Sequence, residues 1–161
     1  MKPLREIIKP LRDSQLNIWY HQVLGADKGA YNMCNYVFLQ NFNKPQVFDQ
    51  AARYLISKSE EFNSVFRIID GEPVRLGSCH VEAVVSITEM IGCSENAVAS
   101  EIDRIRAAPF DIENGPVFRA GRVYMGADKW CLYFVVHHIC IDAAGSQAMW
   151  AVFEKLMNGW I

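Results

Sequence analysis

A nearly unbroken apolar stretch near the end of the chain constrains the fold more than any other feature. It reads Trp-Cys-Leu-Tyr-Phe-Val-Val over residues 130–136 and ends in two histidines, His137 and His138. A strand that faces water on one side alternates apolar and polar residues, whereas a strand buried on both faces does not. The stretch therefore predicts a strand over residues 129–138 that lies centrally in its sheet.

Helical and strand-like patterns alternate along the rest of the chain. Apolar residues recur at helical spacing in four segments, which are residues 11–24, 43–56, 94–108 and 146–158. Short runs rich in β-favouring residues occupy residues 31–40, 64–69, 72–76, 81–87 and 117–125. Asn43 and Ser94 are the predicted caps of the second and third helices. The sequence Asp70-Gly71 and residues 126–128 predict tight hairpin turns. These patterns together predict an α/β fold in which helices cover a mixed sheet containing antiparallel hairpins, within one domain over residues 1–161.

Composition excludes several classes of function. The chain has 161 residues, of which 51% are hydrophobic, and its formal charge is −2 without a basic cluster. Such a chain has no basic patch that could neutralise the phosphate backbone of a nucleic acid, so no nucleic-acid partner is expected. No apolar run approaches the ~20 residues of a membrane span, and Met1 to Pro10 carry charges where a signal peptide is apolar. We expect no membrane association and a cytoplasmic location.

The five cysteines include no C-x-x-C pair, so neither a disulfide framework nor a zinc site is expected. Buried free thiols are the simplest interpretation. Cys140, which follows the two histidines, is an alternative candidate for a nucleophile.

Two histidines at the end of a buried strand are the candidate for chemistry. Side chains alternate across a strand, so one of His137 and His138 can face a cavity while the other packs into the interior. Asp142 follows four residues after His138 and can orient a ring or fix the loop, and residues 143–145 have little side-chain bulk, which leaves room for a ligand. A neutral imidazole at this place is suited to accepting a proton from an amine or hydroxyl. The alternatives from the residues alone are a hydrogen-bonded core pair and a metal site, although diverging histidines make a metal less attractive.

The segment His-His-Ile-Cys-Ile-Asp-Ala at residues 137–143 resembles the HHxxxDG signature of condensation domains and their chloramphenicol-acetyltransferase-like relatives. Four further segments are similar to that family in order and spacing: residues 12–19 through Gln15 and Trp19, residues 58–66 through Glu60 and Phe66, residues 70–74, and residues 109–119. The resemblance thus extends along nearly the whole chain.

The resemblance implies a function in nonribosomal peptide synthesis. Family members form an amide, or less commonly an ester, between substrates carried on the phosphopantetheine arms of carrier proteins, which reach a tunnel between two similar lobes. By position, His138 is expected to position or deprotonate the acceptor amine, His137 to be structural, and Asp142 to hold the loop. Residues 1–161 are expected to form the N-terminal lobe without the C-terminal one. The expected partners are carrier proteins, the other lobe and neighbouring synthetase domains, and no intrinsic cofactor or metal is expected.

Two departures from the family pattern raise other possibilities. Asn63 stands where the second motif has an arginine that often pairs with the aspartate of the signature, and Arg67 is the expected replacement partner for a buried Asp142. Ala143 replaces the glycine of the signature, which predicts either a narrower substrate path or a strained loop that Gly145 relieves. A docking or gatekeeping module without catalysis and a relative of the epimerisation type are therefore the alternatives to an active condensation domain.

Overall fold

The computed structural model describes residues 7–25, 27–77 and 85–159. The helices and strands of this part follow one another in the order β1 (Ile7–Pro10), α1 (Asp13–Leu24), β2 (Asn32–Leu39), α2 (Pro45–Lys58), β3 (Val65–Ile69), β4 (Glu72–Gly77), β5 (Val85–Glu89), α3 (Glu95–Ala107), β6 (Phe118–Gly126), β7 (Lys129–His137) and α4 (Ala143–Gly159).

The strands form two sheets. Strands β2, β7, β6 and β5 form a four-stranded sheet in that order, and β1, β4 and β3 form a three-stranded antiparallel sheet. The larger sheet is mixed, because β5 pairs in parallel with β6 while β7 is antiparallel to both of its neighbours. Strand β7 is an inner strand whose last seven residues are all buried. The predicted fold class and the central place of this strand are confirmed.

Helices cover both faces of the larger sheet. On one face, Phe134 of β7 contacts Phe48 of α2 and Phe153 of α4, at ring-centroid distances of 5.5 and 4.9 Å. On the other face, Arg119 of β6 donates to the carbonyl of Ala108 at the end of α3, at 2.8 Å. No described helix is long and apolar enough to cross a membrane. Because helices cover the sheet on both sides of the inner strand β7, the end of this strand is where its polar side chains can meet a ligand.

Most predicted elements occur where the sequence placed them. The hairpin turns are confirmed, since Asp70 and Gly71 adopt φ angles of 52° and 87°. Ser94 caps α3 by accepting a hydrogen bond from the amide of Ala97 at 3.3 Å, as predicted. The predicted cap at Asn43 is wrong, because Lys44 occupies that position without a capping hydrogen bond from its side chain. Strand β1 was not predicted. Residues 81–84 of the predicted strand lie outside the described residues.

Candidate functional site

The end of β7 separates the two histidines. The strand ends at His137, and His138 begins a turn over residues 138–140. His137 is completely buried, whereas His138 is half-buried. The strand thus places the His137 ring in the interior, while the turn that follows leaves His138 partly open to solvent.

The His137 ring is surrounded by protein. Its Nδ1 atom accepts a hydrogen bond from the backbone amide of Ile139 at 3.2 Å, and its Nε2 atom lies 3.3 Å from Oε1 of Gln22. The rings of Tyr31 and Phe110 lie 6.3 and 6.1 Å from it. Burial, with a smaller contribution from His138, lowers the pKa of His137 to about 4. The ring is therefore neutral near pH 7 and its two nitrogens are engaged within the protein.

His138 is held by its backbone rather than by its ring. Its amide donates to the carbonyl of Tyr31 at 2.8 Å. Its Nδ1 atom is buried and has no hydrogen-bond partner among the residues that the structure describes. The buried Nδ1 is closed to a substrate, which makes Nε2 the candidate ring nitrogen for contact with one.

Helix α1 holds the turn that carries His138. Nε2 of Gln15 donates to the carbonyl of Ile139 at 2.9 Å, and Gln22 reaches His137 two helical turns further on. Both glutamines and Trp19 between them are buried. Sequence reasoning missed Gln22, although polar residues at positions i and i+7 beside a buried aromatic residue at i+4 were a signal that this helix face contacts polar groups.

Asp142 caps helix α4. Its Oδ1 atom accepts a hydrogen bond from the amide of Gly145 at 2.7 Å, which satisfies a free amide in the first helical turn. The side chain is exposed, so the expectation of a buried carboxylate that needs a charged partner is wrong. The predicted start of the helix at Ser146 is late by three residues, because Asp142 provides the cap and Ala143 begins the helix.

The two residues expected near Asp142 have other partners. Asn63 donates through Nδ2 to the carbonyls of Ile56 and Ser59, at 2.8 and 2.9 Å. These carbonyls lie at the end of α2, and each also accepts a backbone amide. Arg67 was the expected partner of Asp142, but this expectation is wrong. Its guanidinium donates to the carbonyl of Glu113 at 2.5 Å and to the side chain of Asn114 at 3.2 Å.

The small residues after Asp142 differ in their surroundings. Ala143 is exposed in the first turn of α4 and is not among the residues with a positive φ angle, so the strain expected from replacing glycine does not arise. Gly145 is packed tightly instead. A Cβ atom at this position would lie 2.7 Å from Cγ1 of Ile141 and 3.1 Å from Oδ1 of Asp142. The capping interaction therefore depends on the absence of a side chain at Gly145.

Replacing Gly145 with alanine tests this packing. We expect Gly145→Ala to lower the free energy of unfolding by about 1–2 kcal/mol, because a 2.7 Å contact forces Ile141 or the cap to move. Urea unfolding of the chain measures the change, and Ala143→Gly, at an exposed position of the same turn, is the matched control. A larger loss for the control than for Gly145→Ala would contradict the packing argument.

The low pKa of His137 predicts acid sensitivity. The folded chain binds a proton at His137 less tightly than an unfolded chain does, since the pKa falls from 6.5 to about 4. The contribution to stability is complete above pH 6.5 and is lost as the pH falls towards about 4, by on the order of 3 kcal/mol in total. Urea unfolding at several pH values should therefore show a steeper acidic decline for the native chain than for His137→Asn. Parallel declines would refute the assignment.

The described residues do not favour a cysteine nucleophile or a metal site beside the histidines. Cys140 is buried, and burial raises the pKa of its thiol far above the usual range, which opposes formation of the nucleophilic thiolate. Cys34, Cys93, Cys131 and Cys140 are free thiols, and Cys79 lies outside the described residues. In residues 7–25, 27–77 and 85–159 no three His, Cys, Asp or Glu side chains are grouped as metal ligands.

Comparison with known proteins gives consistent matches. The family model named Condensation domain matches residues 6–160. Gramicidin S synthase 2 of Aneurinibacillus migulanus is 28% identical over 133 residues, which cover 81% of this chain and 3% of that protein. The isonitrile lipopeptide synthase of Streptomyces coeruleorubidus is 28% identical over 142 residues, covering 85% of the chain and 10% of the synthase. The chain therefore spans a small part of these relatives.

Solved structures share the fold. The starter condensation domain of the rhizomide synthetase RzmA superposes with a TM-score of 0.82 at 20% identity, covering 93% of this chain and 38% of that chain. The first condensation domain of the CDA synthetase superposes with a TM-score of 0.80 at 20% identity, covering 93% and 39%.

Proposed function

Since the chain belongs to the condensation-domain family, we propose that it forms the N-terminal lobe of a nonribosomal peptide synthetase condensation domain and carries the base for amide-bond formation. The observation that carries this proposal is the asymmetry of the histidine pair. His137 is completely buried, while His138 is half-buried in the turn after the strand and keeps Nε2 for a substrate.

In the proposed reaction, the amine of the acceptor substrate attacks the carbonyl carbon of the donor thioester. Nε2 of His138 accepts the proton that the amine loses as the new C–N bond forms. The C–S bond then breaks, and the thiolate of the donor's phosphopantetheine arm takes the proton from the imidazolium. An imidazole can accept a proton from one group and donate it to another, so the same ring serves both steps. The partners are two carrier proteins, the second lobe and neighbouring synthetase domains, in the cytoplasm.

The experiment supplies the complete protein that contains this lobe with a donor carrier loaded with an acyl or aminoacyl thioester and an acceptor carrier loaded with an aminoacyl thioester. Mass spectrometry of the acceptor carrier is expected to show the mass of the amide product, and an acceptor carrier without amino acid is the control. Absence of product with both loaded carriers would refute the catalytic proposal. The 161-residue chain alone is expected to turn over poorly or not at all.

A docking or gatekeeping module is the second candidate, favoured by Ala143 and Asn63 at positions where the family pattern differs. This candidate predicts that carriers bind the complete protein without transfer. It also predicts that Ala143→Gly combined with Asn63→Arg creates an activity that the native protein lacks.

A relative of the epimerisation type would instead change the configuration of a carrier-bound residue without forming an amide. Chiral analysis of the released amino acid distinguishes this outcome.

A further inference from the structure

The hydrogen bonds of His137 determine which of its nitrogens carries the proton. Nδ1 accepts from the amide of Ile139, so this nitrogen bears no hydrogen. In a neutral imidazole the proton is then on Nε2, which lies 3.3 Å from Oε1 of Gln22. The amide group of Gln22 is oriented independently, because its Nε2 donates to the carbonyl of Lys28 at 3.2 Å. Oε1 of Gln22 is thus the acceptor for the Nε2 proton of His137.

The same ring fixes the turn after β7. The amide of Ile139 donates to Nδ1 of His137, and the amide of Cys140 donates to the carbonyl of His137 at 3.0 Å. These two hydrogen bonds close the turn around His138, whose own amide donates to the carbonyl of Tyr31. If the proton moved from Nε2 to Nδ1, two donors would face each other at Ile139 and the hydrogen bond between this amide and the ring would be lost. One of the hydrogen bonds that hold the turn around His138 therefore depends on the tautomer of His137.

We propose that Gln22 is a positioning residue that holds His137 in the Nε2-protonated tautomer and thereby fixes the turn that presents His138. The proposal rests on the proposed function of His138 as the base. Gln22 acts through His137 and does not contact the reacting atoms. The surroundings of the His137 ring agree with this role, because it is completely buried and packs against Tyr31 and Phe110.

Nuclear magnetic resonance of the native chain labelled with ¹⁵N in its histidines tests the tautomer directly. One buried histidine is expected to show a protonated Nε2 and an unprotonated Nδ1 at pH 7, and His137→Asn identifies its signals by their loss. A protonated Nδ1 at His137 in the native chain would overturn the proposal. This readout does not require activity, so it is independent of the proposed function.

Two variants separate the acceptor from the rest of the Gln22 side chain. Gln22→Met keeps the length of the side chain but removes both the acceptor for His137 and the donor to the carbonyl of Lys28, and we expect mixed tautomers at His137. Gln22→Glu loses the same donor, so only Gln22→Met lacks the acceptor. In the complete protein, kcat of Gln22→Met should fall by about tenfold to hundredfold with little change in KM, because a displaced base loses its orientation. Gln22→Glu keeps an oxygen acceptor, and its negative charge should move the titration of His137 to higher pH, so activity is expected near the native value at high pH and lost at lower pH.

The outcomes distinguish the two proposals. If Gln22→Met shows the native tautomer and native kcat, Gln22 has no positioning role. If Gln22→Met does not fold, an unchanged His137 titration in Gln22→Glu would reject the coupling, and a titration moved to higher pH would support it. If His138→Ala keeps native activity while the tautomer is as expected, the proposed function fails although the link between Gln22 and His137 stands.

Discussion

His138→Ala is expected to lower kcat for amide formation by the complete protein by about 10²–10⁴-fold, which is the usual contribution of a general base. The reason is that His138 is half-buried and Nε2 is its candidate reactive nitrogen, whereas both nitrogens of His137 are engaged within the protein. Single-turnover rates with both loaded carriers measure the effect. Binding of the carriers should change little, because the substitution removes a proton acceptor rather than a docking surface.

A matched variant of the thiol in the same turn is the control. Cys140→Ser should keep the native kcat, because the buried thiol has a raised pKa and does not take part in the proposed reaction. A loss of activity with Cys140→Ser together with native activity in His138→Ala would reverse the assignment of roles.

Arg122→Ala is expected to lower the free energy of unfolding by about 2–3 kcal/mol, because it leaves the part-buried carboxylate of Asp49 without its charged hydrogen-bond partner. Arg122 of β6 binds Asp49 of α2 through two hydrogen bonds of 2.9 and 3.2 Å, and the two side chains are only 10% and 23% exposed. The guanidinium also lies 4.9 Å from the centre of the Trp130 ring. This ion pair therefore links a covering helix to the sheet in a region of low solvent access.

Arg104→Ala is the matched control for this measurement. Arg104 pairs with Glu101 on the surface of α3, and its side chain is 73% exposed, so solvent screening leaves little net stabilisation. Urea unfolding of both variants gives the comparison. Equal losses of stability in Arg122→Ala and Arg104→Ala would show that burial does not strengthen the pair between Asp49 and Arg122.

Local sequence patterns were sufficient to predict the elements that depend on nearby residues. The apolar stretch before His137 predicts an inner strand because both faces of such a strand must be covered, and the Asp70-Gly71 turn follows from the positive φ angles that it needs. The start of α4 is earlier than predicted, because the carboxylate of Asp142 caps the helix and three small residues form its first turn. Strand β1 was missed because four residues ending in Lys9 and Pro10 show no strand pattern by themselves.

Partners distant in sequence were harder to predict than local structure. Arg67 and Asp142 were expected to meet on the basis of their charges, but Arg67 extends towards Glu113 and Asn114. Gln22 and His137 are 115 positions apart, and only the packing of α1 against the end of β7 brings them together. Sequence periodicity can assign a residue to a face, whereas the identity of its partner depends on how the elements pack.

The most direct test of the central claim is the reactivity of each histidine towards diethyl pyrocarbonate, which acylates accessible neutral imidazole nitrogens. In the complete protein, peptide mass spectrometry should show His138 modified at the same rate at which activity is lost, with protection by the loaded acceptor carrier. His137 should stay unmodified while the protein is folded. Modification of His137 as fast as His138, or loss of activity while His138 is unmodified, would contradict the account.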